Sequence, residues 1–244
     1  YNCEHSIFKS IGYTLRNVYA RWTKAYLRNV DMFACITEFQ KKKLIETGYD
    51  KNKITVIPNS IDAPCSYTLT TGGYIAYIGR LSYEKGYDLL VEVARKHPEI
   101  KFRFAGAQRE QKNTDIPSNV EFAGYLQKDK LLEFIQKARF IVIPSRCYEG
   151  FPMAILEAAC HGKPAIASNH GGFTEIIGQG ENAIGKLFEP GNTDDLDKQI
   201  AELWNNQTLT EELGEKAFRK LKKHYDSEVV YKQWETLFSK LKNS

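Results

Sequence analysis

The chain has 244 residues, 42% of them hydrophobic and 26% charged, with a formal net charge of +4. This balance is close to the globular average and excludes a disordered or low-complexity protein. The charge is too small to imply nucleic-acid binding by itself, although it tolerates anionic ligands or a lipid surface. The length exceeds that of a usual single domain, so one full α/β domain plus part of a second is expected. Five cysteines (Cys3, Cys35, Cys65, Cys147 and Cys160) form an odd set without a close C-x-x-C pair. Neither a disulfide framework nor a zinc cage fits that pattern, and the thiols are expected to be reduced and buried. No run of about 18 apolar residues exists, and the N-terminus lacks the charged-then-apolar order of a signal peptide. The expected compartment is the cytoplasm.

Residues 7–30 place Phe8, Ile11, Leu15, Val18, Trp22 and Tyr26 on one helical stripe. Lys9, Arg16, Arg21, Lys24 and Arg28 fall opposite, and no acidic residue interrupts them between Glu4 and Asp31. One amphipathic helix with a cationic face is predicted. A short strand (32–36), a helix (38–47) and another strand (54–57) follow, and the pattern breaks at Pro58-Asn59. The stretch up to residue 73, with Pro64, Gly72 and Gly73, reads as a linker.

From Tyr74 onward, apolar strand candidates at 74–79, 100–106, 120–124, 140–144 and 164–168 alternate with helical patterns. This order predicts a doubly wound parallel sheet with helices on both faces. Ligands of such sheets sit beyond the carboxyl ends of the strands, so the loops there are where chemistry is sought. The tail 228–241 repeats apolar residues at helical intervals and must pack against something.

Two of these loops stand out. The first, Gly79-Arg80-Leu81-Ser82-Tyr83-Glu84-Lys85-Gly86, leads into a helix near Tyr87, so two cations flank a helix N-terminus. That end already carries partial positive charge and free amides, and an anion such as a diphosphate would complete it. Arg80 could fork onto phosphate oxygens while Lys85 supplies a point charge. The second, Glu149-Gly150-Phe151-Pro152-Met153-Ala154-Ile155-Leu156-Glu157, follows a strand and starts a helix, with Pro152 expected at the first helical position. Met153 and Glu157 are four residues apart and share a helix face, so one ligand could touch the first amides and Glu157 together. A carboxylate suits vicinal ribose hydroxyls because it accepts two hydrogen bonds.

These two loops, with the following AACHGKPAIAS and HGGFTEIIGQGENAIGKLF stretches, resemble the C-terminal domain of family 4 glycosyltransferases, which have the GT-B fold. The resemblance covers most of residues 30–240 and keeps the motifs in order. It implies two Rossmann-like domains, the first truncated here. Residues 1–60 would be the end of the acceptor-binding domain, 61–73 the linker, 74–226 the nucleotide-sugar-binding domain and 227–244 a helix returning to the first domain. It further implies retaining transfer of a hexose-type sugar from a nucleotide diphosphate donor, of UDP or GDP type, without a metal. By resemblance Glu149 is the catalytic residue beside the donor sugar. Gly79, Arg80 and Lys85 bind the diphosphate, and Glu157 holds the ribose. Phe151 and the amides of Met153 and Ala154 face the distal phosphate and sugar, and the Tyr125-Leu126 loop meets the base through its backbone. A glycan or lipid-linked acceptor follows, with an anionic membrane surface as a further partner of the basic helix and a peripheral site at the inner face of the membrane. The family's acceptor-side histidine is not assigned to His5. Pro152-Met153 and Asn182-Ala183 depart from the family's usual pairs, which leaves the sugar open.

Other signals read as structural. Asp195-Leu196-Asp197 matches a D-x-D metal motif, but acidic first-turn residues after a Thr cap account for it. Gly178 to Ala183 fits G-x-G-x-x-A yet follows a helix. His170-Gly171-Gly172 lacks the nucleophile elbow a hydrolase needs. His161 and His170 have no third ligand pattern beside them. Two rival readings share the donor motifs: a non-catalytic nucleotide-sugar-binding module, and a GT-B-fold nucleotide-sugar epimerase.

Overall fold

The structure is a computed structural model, and it describes residues 7–108 and 115–242. Cys3, Glu4 and His5 lie outside the described residues, as do the ends of the expected first and last segments.

The predicted helix over 7–30 is two helices, α1 (Ile7–Thr23) and α2 (Ala25–Asn29). The break falls at Lys24, left-handed at φ 52°. The Thr23 hydroxyl donates to the Tyr19 carbonyl at 2.9 Å, and the Lys24 amide closes a tighter turn onto Arg21 at 3.3 Å. A hydroxyl competing for helix carbonyls is invisible to hydrophobic periodicity. Within α1 the expected stripe is uncovered: the helix has no buried residue, and Phe8 and Trp22 are 88% and 82% exposed.

β1 (Phe33–Cys35), α3 (Glu38–Glu46) and β2 (Ile54–Val56) follow, with β1 and β2 paired in parallel. α3 begins where it does because the buried Thr37 side chain accepts from the Gln40 amide. Residues 58–73 then cross to the second sheet. They are held by the Lys163 Nζ, which donates to the Thr70 carbonyl and hydroxyl at 2.6 and 2.8 Å.

The second sheet contains β3 (Ile75–Ile78), β4 (Phe102–Ala105), β5 (Val120–Gly124), β6 (Phe140–Ile143), β7 (Ala165–Ser168) and β8 (Gly185–Phe188). Their spatial order is β5-β4-β3-β6-β7-β8, parallel throughout. This is the strand order of a Rossmann-type sheet, whose switch point lies between its first and fourth strands, here β3 and β6. The five strands predicted from Tyr74 onward are present. β8 was not among them: it opens on Gly185 and carries Lys186, which leaves only Leu187-Phe188 as an apolar run.

Connecting helices are α4 (Tyr87–Lys96), α5 (Asp129–Gln136), α6 (Met153–Ala159), α7 (Gly172–Ile177), α8 (Thr193–Asn205) and α9 (Gln207–His224). Period-2 alternation sends different residues to the two faces. Ala76, Ala105, Ile141 and Ala167 meet α5, α6 and α7, whereas Ile75, Tyr77, Phe102 and Phe104 meet α4 and α8. The first face is built largely of small strand residues, and the opposite one carries more aromatic rings. The last described element is α10 (Ser227–Lys242), which buries Val230 and whose Trp234 lines a groove of about 810 Å³ with Ile57 and Pro58.

The cysteines are free among the described residues, but the expected burial holds for Cys35 and Cys160, whereas Cys65 is exposed and Cys147 partly so. Cys65 lies in the surface connector, where its apolar character has no core to join. No described helix is long and apolar enough to cross a membrane.

Candidate functional site

The β3–α4 and β6–α6 loops leave the sheet from adjacent strands, so the fold places Arg80, Lys85 and Glu149 at one edge of the switch point. Gly86 makes the approach possible. It is left-handed at φ 69°, and a Cβ there would stand 1.9 Å from the Pro144 carbonyl oxygen at the end of β6.

Lys85 ends a short 3-10 turn, Tyr83–Lys85, and its ammonium donates to Glu149 Oε1. Their side chains are 19% and 22% exposed, which limits solvent screening of the pair. The cation at this helix start therefore already has an anionic partner, supplied by the neighbouring loop. The sequence expectation of charge left for an external anion is corrected to that extent: Glu149 offsets the repulsion from the helix terminus. The buried Ser145 hydroxyl lies 3.4 Å from the same carboxylate oxygen. Arg80 lies 3.6 Å from Glu84, an exposed and weak pairing that leaves it available. Under this loop the Tyr77 hydroxyl donates to the Arg80 carbonyl at 2.7 Å. Burial pushes the Tyr77 phenol far up, so it stays a donor. The Gly79 amide is engaged by the Ala105 carbonyl at 3.0 Å, which leaves its own carbonyl and φ of 154° to shape the loop.

The β6–α6 loop is supported from α7. The Gly172 amide donates to the Glu149 carbonyl at 2.9 Å, and a Cβ on Gly172 would lie 2.4 Å from the Gly150 carbonyl oxygen. His170 Nε2 lies 3.0 Å from the Ser145 carbonyl. Its ring meets Tyr148 edge-on at 5.1 Å, and Tyr148, 69% exposed, reaches Phe39 of α3 at 5.3 Å. The α3 start is tied to the same region through the Phe39 amide, which donates to Glu175 at 3.3 Å.

Pro152 is the N-cap of α6, one position earlier than predicted, because its ψ of 96° is extended and not helical. The first amides of α6, from Met153 and Ala154, lack intrahelical acceptors, as the first N–H groups of any helix do. Met153 and Ala154 themselves are partly buried against the core. Phe151 is a core side chain, edge-on to Tyr225 at 5.6 Å, so it offers a ligand its backbone and little of its ring. Glu157 sits about 6 Å along the axis from Met153 at ordinary helix rise. It makes no ion pair among the described residues, and burial pushes its carboxyl above the usual range. Tyr125 and Leu126 follow β5, two strands away from β3, or about 10 Å at normal strand spacing. Tyr125 is exposed, while Leu126 packs on the core.

Sequence reasoning missed Ser145, Tyr148 and His170. The first two lie between the strand at 140–144 and Glu149, just ahead of the loop singled out, so the end of the strand was their signal; His170 opens the HGGFTEIIGQGENAIGKLF stretch, which was read only as part of the resemblance and as lacking a hydrolase partner. The D-x-D stretch is structural, but its cap is Asn192, one residue before the expected Thr. The Asn192 side chain accepts from the Asp194 and Asp195 amides at 3.1 and 3.0 Å. Asp195 accepts from the Glu189 amide, and Asp197 pairs with His97 and Lys96. No cluster of three His, Cys, Asp or Glu side chains able to hold a metal occurs among the described residues.

A Rossmann-type sheet with cationic and acidic loops at its switch point defines the class: a doubly wound α/β protein with its candidate ligand site at the carboxyl ends of the strands. Comparison with known families makes this specific. The family described as glycosyl transferases group 1 matches residues 68–220, and glycosyltransferase family 4 matches residues 3–63. The chain belongs to the glycosyl transferases group 1 family. It is 32% identical over 193 residues to an uncharacterized glycosyltransferase of Methanocaldococcus jannaschii, covering 77% of this chain and 53% of that protein. It is 28% identical over 202 residues to mannosylfructose-phosphate synthase of Agrobacterium fabrum, covering 69% and 44% respectively. The chain thus spans about half the length of these relatives. Among solved structures, Anabaena HepE in complex with UDP superposes with a TM-score of 0.78 at 19% identity, covering 88% of this chain and 65% of that one. These solved relatives share the GT-B fold.

Proposed function

We propose that this chain is the nucleotide-sugar-binding part of a retaining glycosyltransferase that moves a hexose-type sugar from a UDP- or GDP-type donor to a glycan, lipid-linked or similar acceptor. The observation that carries this reading is the Lys85–Glu149 pair at the β3/β6 switch point, with Arg80 beside it. A paired cation is poised to exchange its partner. When a diphosphate arrives, Lys85 turns from Glu149 to phosphate oxygens, and Glu149 is left facing the sugar. As the bond from the anomeric carbon to the diphosphate breaks, Arg80 and Lys85 take up the negative charge of the leaving group, the role a metal plays in other transferases. Glu149 offsets the positive charge growing on the ring, and the acceptor hydroxyl attacks from the face the diphosphate leaves, giving its proton to the departing phosphate oxygen. Glu157, half-buried and without an ion pair among the described residues, accepts from the ribose hydroxyls. The first α6 amides, of Met153 and Ala154, meet the distal phosphate and sugar beside Phe151, and the Tyr125-Leu126 backbone, with Gly79 shaping the opposite loop, frames the nucleoside.

In this reading residues 1–60 end the acceptor domain, 61–73 link, 74–226 bind the donor and 227–244 return to the first domain. The α10 groove beside Ile57 and Pro58 supports that return. The isolated chain then binds donor without turning it over. The exposed stripe and acid-free helix α1 support peripheral contact with an anionic inner leaflet. Vesicle binding that survives charge reversal at Arg16, Arg21 and Arg28 would overturn that contact.

The donor reading is tested in two steps. Lys85→Ala and Arg80→Ala should each weaken nucleoside diphosphate binding at least about tenfold in calorimetry, the loss of one charge-assisted contact. In a full-length enzyme, Glu157→Ala should mainly raise the donor KM, since ribose binding is common to ground and transition states. Glu149→Gln should chiefly lower kcat. The reverse pattern would exchange the two roles.

A further inference from the structure

The loops that carry Lys85 and Glu149 are held together by more than their own ion pair. Arg146, on the β6–α6 loop, reaches across to the β3–α4 loop. Its Nη1 donates to the Tyr83 carbonyl at 2.7 Å, and its two terminal nitrogens fork onto the Asp88 carboxylate at 2.7 and 2.9 Å. The guanidinium lies 4.1 Å from the centroid of the Tyr83 ring, a cation–π contact. The Arg146 amide donates to the Glu84 carbonyl at 2.9 Å, and the Ser145 hydroxyl approaches the same oxygen at 3.3 Å.

Every one of these contacts falls on the turn that ends in Lys85 or on the helix turn just after it. A three-residue 3-10 turn has poor hydrogen-bond geometry of its own. This one also ends on a left-handed glycine, so little within the loop sets the direction in which Lys85 leaves it. The opposing loop supplies the missing restraint through the Tyr83 and Glu84 carbonyls. Arg146 itself is directed inward: its fork is taken by Asp88 and Tyr83, and its face by the Tyr83 ring. Asp88 sits in the first turn of α4, where a carboxylate is favoured, so the fork has a fixed anchor.

We propose that Arg146 is a positioning residue that fixes the 83–85 turn from the opposite loop and so aims Lys85 at Glu149 in the empty site and at the donor diphosphate in the filled one. The second half of this rests on the donor-binding role proposed for Lys85. Arg146 acts on the ligand through Lys85 and makes no contact with it. Arginine is required because lysine offers neither a planar fork nor a stacking face.

The test is a double-mutant cycle on the 244-residue chain with UDP and UMP as probes, using Arg146→Met, Arg146→Lys, Lys85→Ala and the Lys85→Ala/Arg146→Met pair. Arg146→Met should weaken UDP binding roughly fivefold or more, as for side chains in one network, and change UMP binding less than about twofold. Arg146→Lys should restore little. In the Lys85→Ala background Arg146→Met should cost nothing further. An equal loss in both backgrounds, or wild-type UDP affinity in Arg146→Met, would overturn the proposal. A second arm needs no ligand: amide hydrogen exchange at Lys85 and Gly86 should quicken in Arg146→Met while β3 and β6 amides keep their protection. Unchanged exchange at those two amides also overturns it. If Arg146→Met does not fold, Asp88→Asn loosens the same fork and should show the same pattern more weakly. A wild-type chain that binds neither probe counts against the donor reading, and the exchange arm still decides the role of Arg146.

Discussion

The six-stranded sheet and the N-terminal group of α1, α2, β1, α3 and β2 are made of similar segments, yet they reach different states. In the large sheet, β6 and β7 are buried along their whole length between two layers of helices. In the small one, β1 and β2 are mixed in burial, and α1 leaves its apolar side chains in solvent. Parallel strands are stable when both faces are covered. The large sheet meets that condition from its own chain, whereas the small group is anchored outward, through the α3 start on Glu175 and the Phe39–Tyr148 contact. The candidate site therefore rests on the self-sufficient region, and its N-terminal wall is positioned by that region.

The largest expected effect sets the two regions directly against each other. Phe104, fully buried between β4 and the α4 side, should cost about 3–5 kcal/mol on replacement by alanine. Trp22→Ala should stay within about 0.5 kcal/mol, because that side chain is exposed. Urea denaturation of both variants measures the contrast, and similar losses would erase it. A smaller effect falls at the junction. Glu175→Ala removes the acceptor at the α3 start, worth about 1 kcal/mol. It should speed hydrogen exchange of α3 amides while those of β6 and β7 stay protected; uniform acceleration would mean that the two regions unfold together.

A pH-dependent effect concerns the connector between the regions. Burial lowers the Lys163 pKa to about 8, while the unfolded chain keeps a value near 10.4. Below pH 8 both states are protonated and the cost of burying the charge is fully present. Between about pH 8 and 10 the unfolded state binds more protons, so this group's contribution to stability rises with pH. Cys160, pushed up to about 11 by burial, acts in the opposite sense above about pH 9. The stability of the parent relative to Lys163→Met isolates the lysine: it should improve between pH 7.5 and 9.5, and a flat difference would remove Lys163 as a buried charge.

Much of the fold was written in local pattern. Five of the six strands of the large sheet, the helix after each site loop, and Arg80, Lys85, Glu149 and Glu157 as the residues to watch could be read from periodicity, charge and loop position, because each signal fits within a window of about 18 residues. β8 escaped because its place is set by backbone contact with β7, where a Cβ on Gly185 would stand 2.1 Å from the Ala165 carbonyl oxygen. The helix break at Lys24 escaped because a single left-handed residue leaves the apolar spacing intact. Tertiary structure alone decided the pairings: Lys85 meets Glu149 from 64 residues away, Arg146 meets Asp88 across 58, and Phe39 meets Glu175 across 136. Spacing in sequence cannot encode such partners. They exist because strand order brings β3 beside β6 and sets α3 against α7, and the sheet must close before any of these charges has a neighbour.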